Sequence, residues 1–309
     1  MRRVSINLVT LLGLCLPIAA LQGQIRPSRT LNLAALDDTT ARPGWLAGAR
    51  LVAFLGRGSG SLGEDRAWMV QMHEMFDIAR FDDDAAITLS LHQELDANDL
   101  NNIGFNPRMA IWEENLAWQW GRPFRSQGRV GVFHRCKHDI DNTDTPDELP
   151  DSLYEPTRRV IILSGVNGAW TLPRVRLPSG HARVMLTGEG YLVSEEYRDP
   201  SGIDTASWST ALGSMGLYAY SDMALSSWLT FIVRTSVTAT FFGANDATGA
   251  PGRTAWDGRV EGAFAMRGTA GWFEAFVAGE RFFDEVATLP PQVTAYVQFG
   301  VRLRSTGAW

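Results

Sequence analysis

Cysteine is almost missing from this chain: 309 residues contain two, Cys15 and Cys136. Cys15 falls in an amino-terminal segment that reads as removable, so a single thiol remains and no intramolecular disulfide can form. Cys136 is then either a small buried hydrophobe or a free reactive thiol. Past the first two dozen residues no apolar run approaches the ~20 residues of a membrane-spanning helix, which excludes one. No basic stripe occurs and the net charge is −6, which argues against a nucleic-acid partner. Also missing are a dinucleotide-binding glycine pattern, a phosphate-binding loop, a Cys-x-x-Cys pair and any repeat longer than a hairpin rhythm.

What is present begins with Arg2 and Arg3, followed by an apolar run from Val4 to Leu21 and the small residues Ala19, Ala20 and Gly23. Charge, apolar core and small-residue exit in that order read as a cleaved secretory signal peptide over 1–24. Leu14 ahead of Cys15 is too bulky for lipid attachment there. The mature chain of about 285 residues therefore works beyond the inner membrane and is long enough for one large all-β domain. Residues 25–44, with Pro27 and Pro43, read as a periplasmic tail, and 45–309 as the domain.

From Trp45 onward, segments of alternating polarity and clusters of turn residues succeed one another. Strands are expected near 45–55, 66–80, 86–96, 107–120, 126–138, 157–172, 181–197, 206–220, 227–242, 254–267, 271–284 and 292–304. Twelve is an even number, as single-chain bacterial barrels have. The connections alternate too. GRGSGSLGED, DANDLNNIGFN, the acidic stretch 139–155, RDPSGID, GANDATGAPG and DEVATLPP are mostly longer than FDDDAA, GRPFRS, PRVRLPSG, SDMALSS and RGTAG. Short periplasmic turns and longer outer loops give that rhythm. Tryptophans cluster at strand ends, with Trp45, Trp170, Trp228 and Trp272 expected on the inner side and Trp68, Trp112, Trp208 and Trp256 on the outer side. An indole has an apolar body and one N–H that prefers the wet boundary.

The last stretch, QVTAYVQFGVRLRSTGAW, puts Val293, Ala295, Val297, Phe299, Val301 and Leu303 on one strand face. It ends on Trp309 in phase with that face, although Ser305 and Gly307 interrupt it. An amphipathic final strand closed by an aromatic resembles the bacterial outer-membrane β-barrel proteins. That resemblance implies a place in the outer membrane, recognition of the carboxy-terminal strand by the barrel-assembly machinery, and contact with lipid and lipopolysaccharide. The fold expected is all-β: a single antiparallel transmembrane β-barrel of about twelve strands.

The opposite strand faces define a lumen of both signs: Arg50, Asp77, Glu94, Glu113, Arg183, Glu189, Arg234, Asp257, Arg259, Glu261, Glu274, Glu280, Arg302 and Arg304. Twelve strands enclose a narrow interior, so these groups are expected to pair across it. A structural barrel or a narrow small-solute pore is the first functional reading.

The densest chemistry lies in VGVFHRCKHDIDN, residues 130–142. On a strand His134, Cys136 and His138 share a face with Val130 and Val132, while Arg135 and Lys137 take the other. A histidine two residues from a thiol could serve as its base, and the two cations would favour a thiolate. His134-x-Cys136 is similar to the His-x-Ser strand motif of outer-membrane phospholipase A and the lipid A 3-O-deacylases, with Cys in place of Ser and Lys137 in place of Asn. His134-x-Cys136-x-His138 followed by Asp139 and Asp141 also resembles a His-x-Ser-Ser-His group of outer-membrane proteins that carries no known reaction. The first resemblance implies an acyl hydrolase acting on phospholipid or lipid A, the second reading. A loop-based receptor or adhesin is the third.

For metals, His73 and His92 fall on the expected lumen face of neighbouring strands, with Glu94 close by. His134, Cys136 and His138 span about 13 Å at ~3.3 Å per residue, too far for one tetrahedral ion without bending. The stretch 139–155 carries seven acidic residues, Asp139 and Asp141 among them, and no Lys or Arg. Such a run could share the divalent cations, calcium or magnesium, that bridge lipopolysaccharide, or stay extended by self-repulsion.

Overall fold

The computed structural model describes residues 44–54, 68–81, 85–98, 106–121, 126–139, 159–198, 210–244, 251–268, 271–283 and 293–305. The expected signal peptide, the tail over 25–43 and Asp141 lie outside these residues. The described residues form thirteen strands: β1 (Gly44–Phe54), β2 (Trp68–Phe81), β3 (Ala85–Asn98), β4 (Asn106–Gly121), β5 (Gln127–Asp139), β6 (Arg159–Thr171), β7 (Val175–Leu177), β8 (Gly180–Arg198), β9 (Ala211–Ala224), β10 (Leu229–Phe242), β11 (Arg253–Arg267), β12 (Gly271–Phe283) and β13 (Val293–Ser305). Twelve of them are long. β7 is a three-residue extension inside the turn between β6 and β8, pairing Val175 with Ala182.

Every long strand pairs antiparallel with both neighbours. β1 pairs with β2 and, at the other edge, with β13, Leu46 opposite Arg304 through Phe54 opposite Tyr296. β6 pairs with β5 and β8. The ring therefore closes on itself and leaves no long edge strand, the arrangement that satisfies every backbone group without water. The chain folds as a single antiparallel transmembrane β-barrel.

The alternation of the sequence becomes inside and outside. Along β10, Ile232, Arg234, Ser236 and Thr238 are buried and point inward, while Phe231, Val233 and Val237 face out. Val132, Leu217, Val277 and Phe299 on four other strands are each about half exposed. A soluble protein could not leave such a belt in water, but hydrocarbon covers it. Trp118, Trp120, Trp170 and Trp228 face out near one rim of the barrel, Trp256 faces out near the other, and Trp112 faces out six residues into β4. Trp118 stacks with Phe81 at 5.1 Å between ring centroids, and Trp120 with Trp170 at 6.5 Å. Trp272 departs from the expected girdle. It lies inside, against the buried cluster of Met185, Tyr218, Tyr220 and Phe276, with the Arg267 and Arg304 guanidinium groups over its ring.

One irregularity bears on the site below. The β6–β8 register shifts between Ser164, opposite Val193, and Gly165, opposite Tyr191, so Leu192 is an extra residue. It is 79% exposed, the highest value among the outward hydrophobics. The bulge draws the two strands close, and a Cβ added at Gly165 would land on the backbone carbonyl of Gly190. Gly165→Ala is expected to lose about 1–3 kcal/mol of stability, measured as a lower urea midpoint in folding titrations against lipid.

A filled lumen and an outward Glu-His-Ser row

The interior is packed with paired charge. Glu261 accepts from Arg234 at 2.7 Å, from Arg302 at 2.9 and 3.1 Å and from Arg259. Arg234 and Arg302 also reach Glu274, each at 2.9 Å, and Arg304 joins it at 3.1 Å. Arg259 continues the chain to Glu280 and Gln298, both at 2.7 Å. Arg302 and Arg259 lie over the Phe276 ring, with Arg302 at 4.6 Å from its centroid. On the opposite wall Arg135 binds Glu113 at 2.7 Å and Glu189 at 2.9 and 3.2 Å, and Tyr191 donates to Glu189 at 3.1 Å. Arg183 donates to Gln127 at 2.6 Å. These side chains lie against one another rather than against water: Arg183, Arg234, Glu261 and Glu274 are at most 2% exposed.

Of the expected lumen groups, Glu94, Glu113, Arg183, Arg234, Asp257, Arg259, Glu261, Glu274 and Glu280 are buried, and Glu189, Arg302 and Arg304 are half-buried. The side chain of Arg50 lies outside the described residues. Asp77 faces the same interior nearer the inner end, ion-paired to Arg80. Arg129, Arg135, Lys137 and Gln298 were not counted as lumen groups, although they share the inward phase.

His73 and His92 are directly opposite each other across β2 and β3. Both point inward and are buried, with ring centroids 6.4 Å apart in an edge-to-face arrangement. Glu94 lies 3.9 Å from His92 and also accepts from Gln71. Among the described residues, no group of three or more His, Cys, Asp or Glu side chains is arranged to hold a metal ion. Asp139 ends β5, and its side chain lies outside the described residues.

The face of β5 that carries His134, Cys136 and His138 points outward, away from the lumen. His134 and His138 are exposed and Cys136 half-buried, while Phe133, Arg135 and Lys137 are buried inside. A lumen ion shared by His134 and Cys136 is thereby excluded. The cations expected to favour a thiolate point through the wall, and Arg135 is committed to Glu113 and Glu189.

His134 has a different partner. Strand register sets Ser164 of β6 directly opposite it, and the His134 Nδ1 to Ser164 Oγ distance is 2.8 Å. With the ring neutral and its proton on Nε2, the hydroxyl donates to Nδ1, as a nucleophile does to its base. On the other side, Glu114 of β4 is directly opposite His134. Carboxylate, imidazole and hydroxyl therefore occupy one row across three strands, bounded by Leu91 on β3 and Val193 on β8.

The surroundings make this row unusual. The row beneath it is Leu116, Val132 and Val166, and the row above is Trp112, Cys136 and Ile162. Two residues of a strand rising ~3.3 Å each, tilted by 35–45°, cover about 5 Å of membrane depth. The polar row therefore lies about 5 Å in depth from the row of Trp112, within the apolar belt. Ionisable groups on a lipid-facing wall are rare and mark function by default.

Ser164 and Glu114 escaped the sequence reading. Each stands between apolar residues on the outward face of its strand, and only the register joins them to His134.

No protein-family model matches the chain, and no curated protein does. Solved structures do. The Salmonella typhi outer-membrane phospholipase, a dimer with bound calcium, is similar at 12% identity and a TM-score of 0.40, over 86% of this chain and 91% of its own. LpxR from Salmonella typhimurium is similar at 8% identity and a TM-score of 0.42, over 84% and 99%. CymD, a monoaromatic hydrocarbon channel, is similar at 9% identity and a TM-score of 0.39, over 93% and 94%. These likenesses take in a phospholipase and a channel alike, and the fold stands on the chain's own strand pairing.

Proposed function

We propose that this chain is an outer-membrane acyl hydrolase that works from the outside of its wall, cleaving acyl esters of outer-leaflet lipid. The observation that carries the reading is the 2.8 Å contact between His134 Nδ1 and Ser164 Oγ on the lipid-facing side. Ser164 Oγ attacks the ester carbonyl carbon as its proton passes to His134. The C–O bond to the lipid breaks, and the departing alkoxide takes that proton from the imidazolium. Water, deprotonated by His134, then releases the acyl group from Ser164. The products are a free fatty acid and a lysolipid or deacylated lipid A.

Cys136 is not the nucleophile in this reading. Its thiol bonds the backbone of Trp112, and among the described residues His134 bonds Ser164 instead. Export by residues 1–24, insertion by the assembly machinery acting on β13, and residence among phospholipid and lipopolysaccharide belong to the same proposal. So do divalent cations, calcium or magnesium, shared between the lipid phosphates and the acidic stretch 139–155.

The test is mass spectrometry of lipids incubated with the refolded barrel, together with a fluorophosphonate that labels activated serines. Lysolipid release with labelling at Ser164 is expected. An intact lipid profile with an unlabelled serine removes the proposal.

A second reading, a narrow pore, meets an obstacle in the packed interior. Paired arginine and glutamate occupy the space that a channel would leave to water. Planar-bilayer recording is expected to show no steady open level for the parent barrel. A stable conducting level would return the pore to first place.

A further inference from the structure

The Glu-His-Ser row is incomplete in one contact. Glu114 is directly opposite His134, where facing Cβ atoms in a ladder are about 4.5–5.5 Å apart. Yet among the described residues no hydrogen bond joins the two side chains. The Glu114 carboxylate instead accepts from the indole N–H of Trp112 at 2.9 Å, two residues earlier on the same outward face. His134 spends Nδ1 on Ser164, which leaves Nε2 as the nitrogen that a third group must hold. One change of rotamer at Glu114 would carry its carboxylate from the indole to the imidazole.

We propose that Glu114 is the positioning carboxylate of this site and that Trp112 holds it aside until lipid takes its place at the indole. The chemistry rests on the acyl-hydrolase reading, whereas the contact itself does not. An indole N–H near the interface donates to a lipid phosphate or carbonyl oxygen as it does to a carboxylate. A lipid that engages Trp112 releases Glu114, which then accepts from Nε2–H and stabilises the imidazolium formed when Ser164 attacks. The site is therefore assembled only when lipid arrives, as induced fit requires. It also guards against wasteful serine activation in an unloaded wall. Along its row Glu114 stands between His134 and Leu91, with Glu74 one strand beyond Leu91 and the Cys136 thiol in the adjoining row.

The test uses the full barrel in alkyl-maltoside micelles, which bring no lipid phosphate or ester carbonyl to the indole, with 15N-labelled histidine; the chain has five histidines, and loss of a signal in His134→Asn assigns the one of interest. Trp112→Phe is expected to bring out a strongly deshielded His134 ring N–H proton, the signature of an imidazole held by a carboxylate. That signal is expected to vanish in the double variant with Glu114→Gln. In lipid hydrolysis Glu114→Gln is expected to lower kcat by about 10²-fold with little change in KM, and Glu114→Asp to restore part of it. Absence of the deshielded proton in Trp112→Phe overturns the inference, whatever the hydrolysis assay reads. A kcat unchanged in Glu114→Gln, with the parent active, overturns it equally and leaves the Ser164 and His134 assignment standing. If the proton appears but no lipid is cleaved, the contact stands and the acyl-hydrolase reading fails.

Discussion

Alanine at Ser164 is expected to lower ester hydrolysis by about 10³-fold or more, because the hydroxyl held at 2.8 Å by His134 is the group that forms the acyl intermediate. His134→Ala should fall equally far. The double variant should be no worse than either single one, since a nucleophile and its base act as a unit and their losses do not add. Cys136→Ala should retain close to the parent rate. Each variant stays on the outward wall and touches none of the lumen pairs, so all four should fold, which heat-modifiable gel mobility will confirm. The comparison separates a hydroxyl on β6 from a thiol on β5. If Cys136→Ala loses hydrolysis while Ser164→Ala keeps it, the thiol carries the reaction and His134 must turn from β6 to its own strand. If both retain it, the row has no part in ester cleavage.

The barrel was legible in the sequence because a strand's period of two makes each residue a statement about one wall. Val293 through Leu303 alternate without a break up to Ser305, and the twelve expected strands match the twelve long strands within a few residues. The widest gap is at β9, expected from 206 and found from Ala211. The short β7 was missed because three residues inside a turn carry no period. Trp272 was misread as girdle because a tryptophan at a strand end looks alike from either side. Its phase, shared with Glu274 and Phe276, points into the lumen.

The site was half legible, for a reason rooted in the same geometry. Alternation placed His134, Cys136 and His138 together on one face, and the structure shows that face turned to lipid. Alternation within a strand says nothing about what stands opposite. Ser164 is thirty residues from His134 and is set against it by the length of the intervening loop and the register of β5 on β6. A slip of one residue would replace Ser164 by an inward-pointing neighbour and dissolve the row. Motifs confined to one strand favour the near thiol over the distant hydroxyl, which is why the sequence pointed to Cys136. The clue that was available lay in composition: Glu114 and Ser164 are polar residues in the outward phase of strands otherwise lined with Trp, Leu, Ile and Val.

The largest effect on stability is expected at Glu261. Its carboxylate accepts from Arg234, Arg259 and Arg302, and it is wholly buried among them. Glu261→Gln keeps the shape but removes the charge on which three guanidinium groups converge, leaving Glu274 and Glu280 to balance them. Removing one partner of a buried ionic cluster typically costs about 3–5 kcal/mol, against about 0.5 kcal/mol for an ordinary surface change. Urea titration of folding into lipid should show that difference between Glu261→Gln and a change at an exposed position such as Arg176→Gln. The cost comes from uncompensated charge rather than from lost attraction. Replacing Glu261 and Arg234 together by methionine should therefore recover a substantial part of it, as apolar replacements of buried ion pairs do. A loss below about 0.5 kcal/mol in Glu261→Gln would mean that water enters and solvates the arginines, so the lumen is not filled in the membrane. That outcome bears on function as well: a lumen that admits water at Arg234 and Arg302 is a conduit, and the outward row would then share the barrel with a pore.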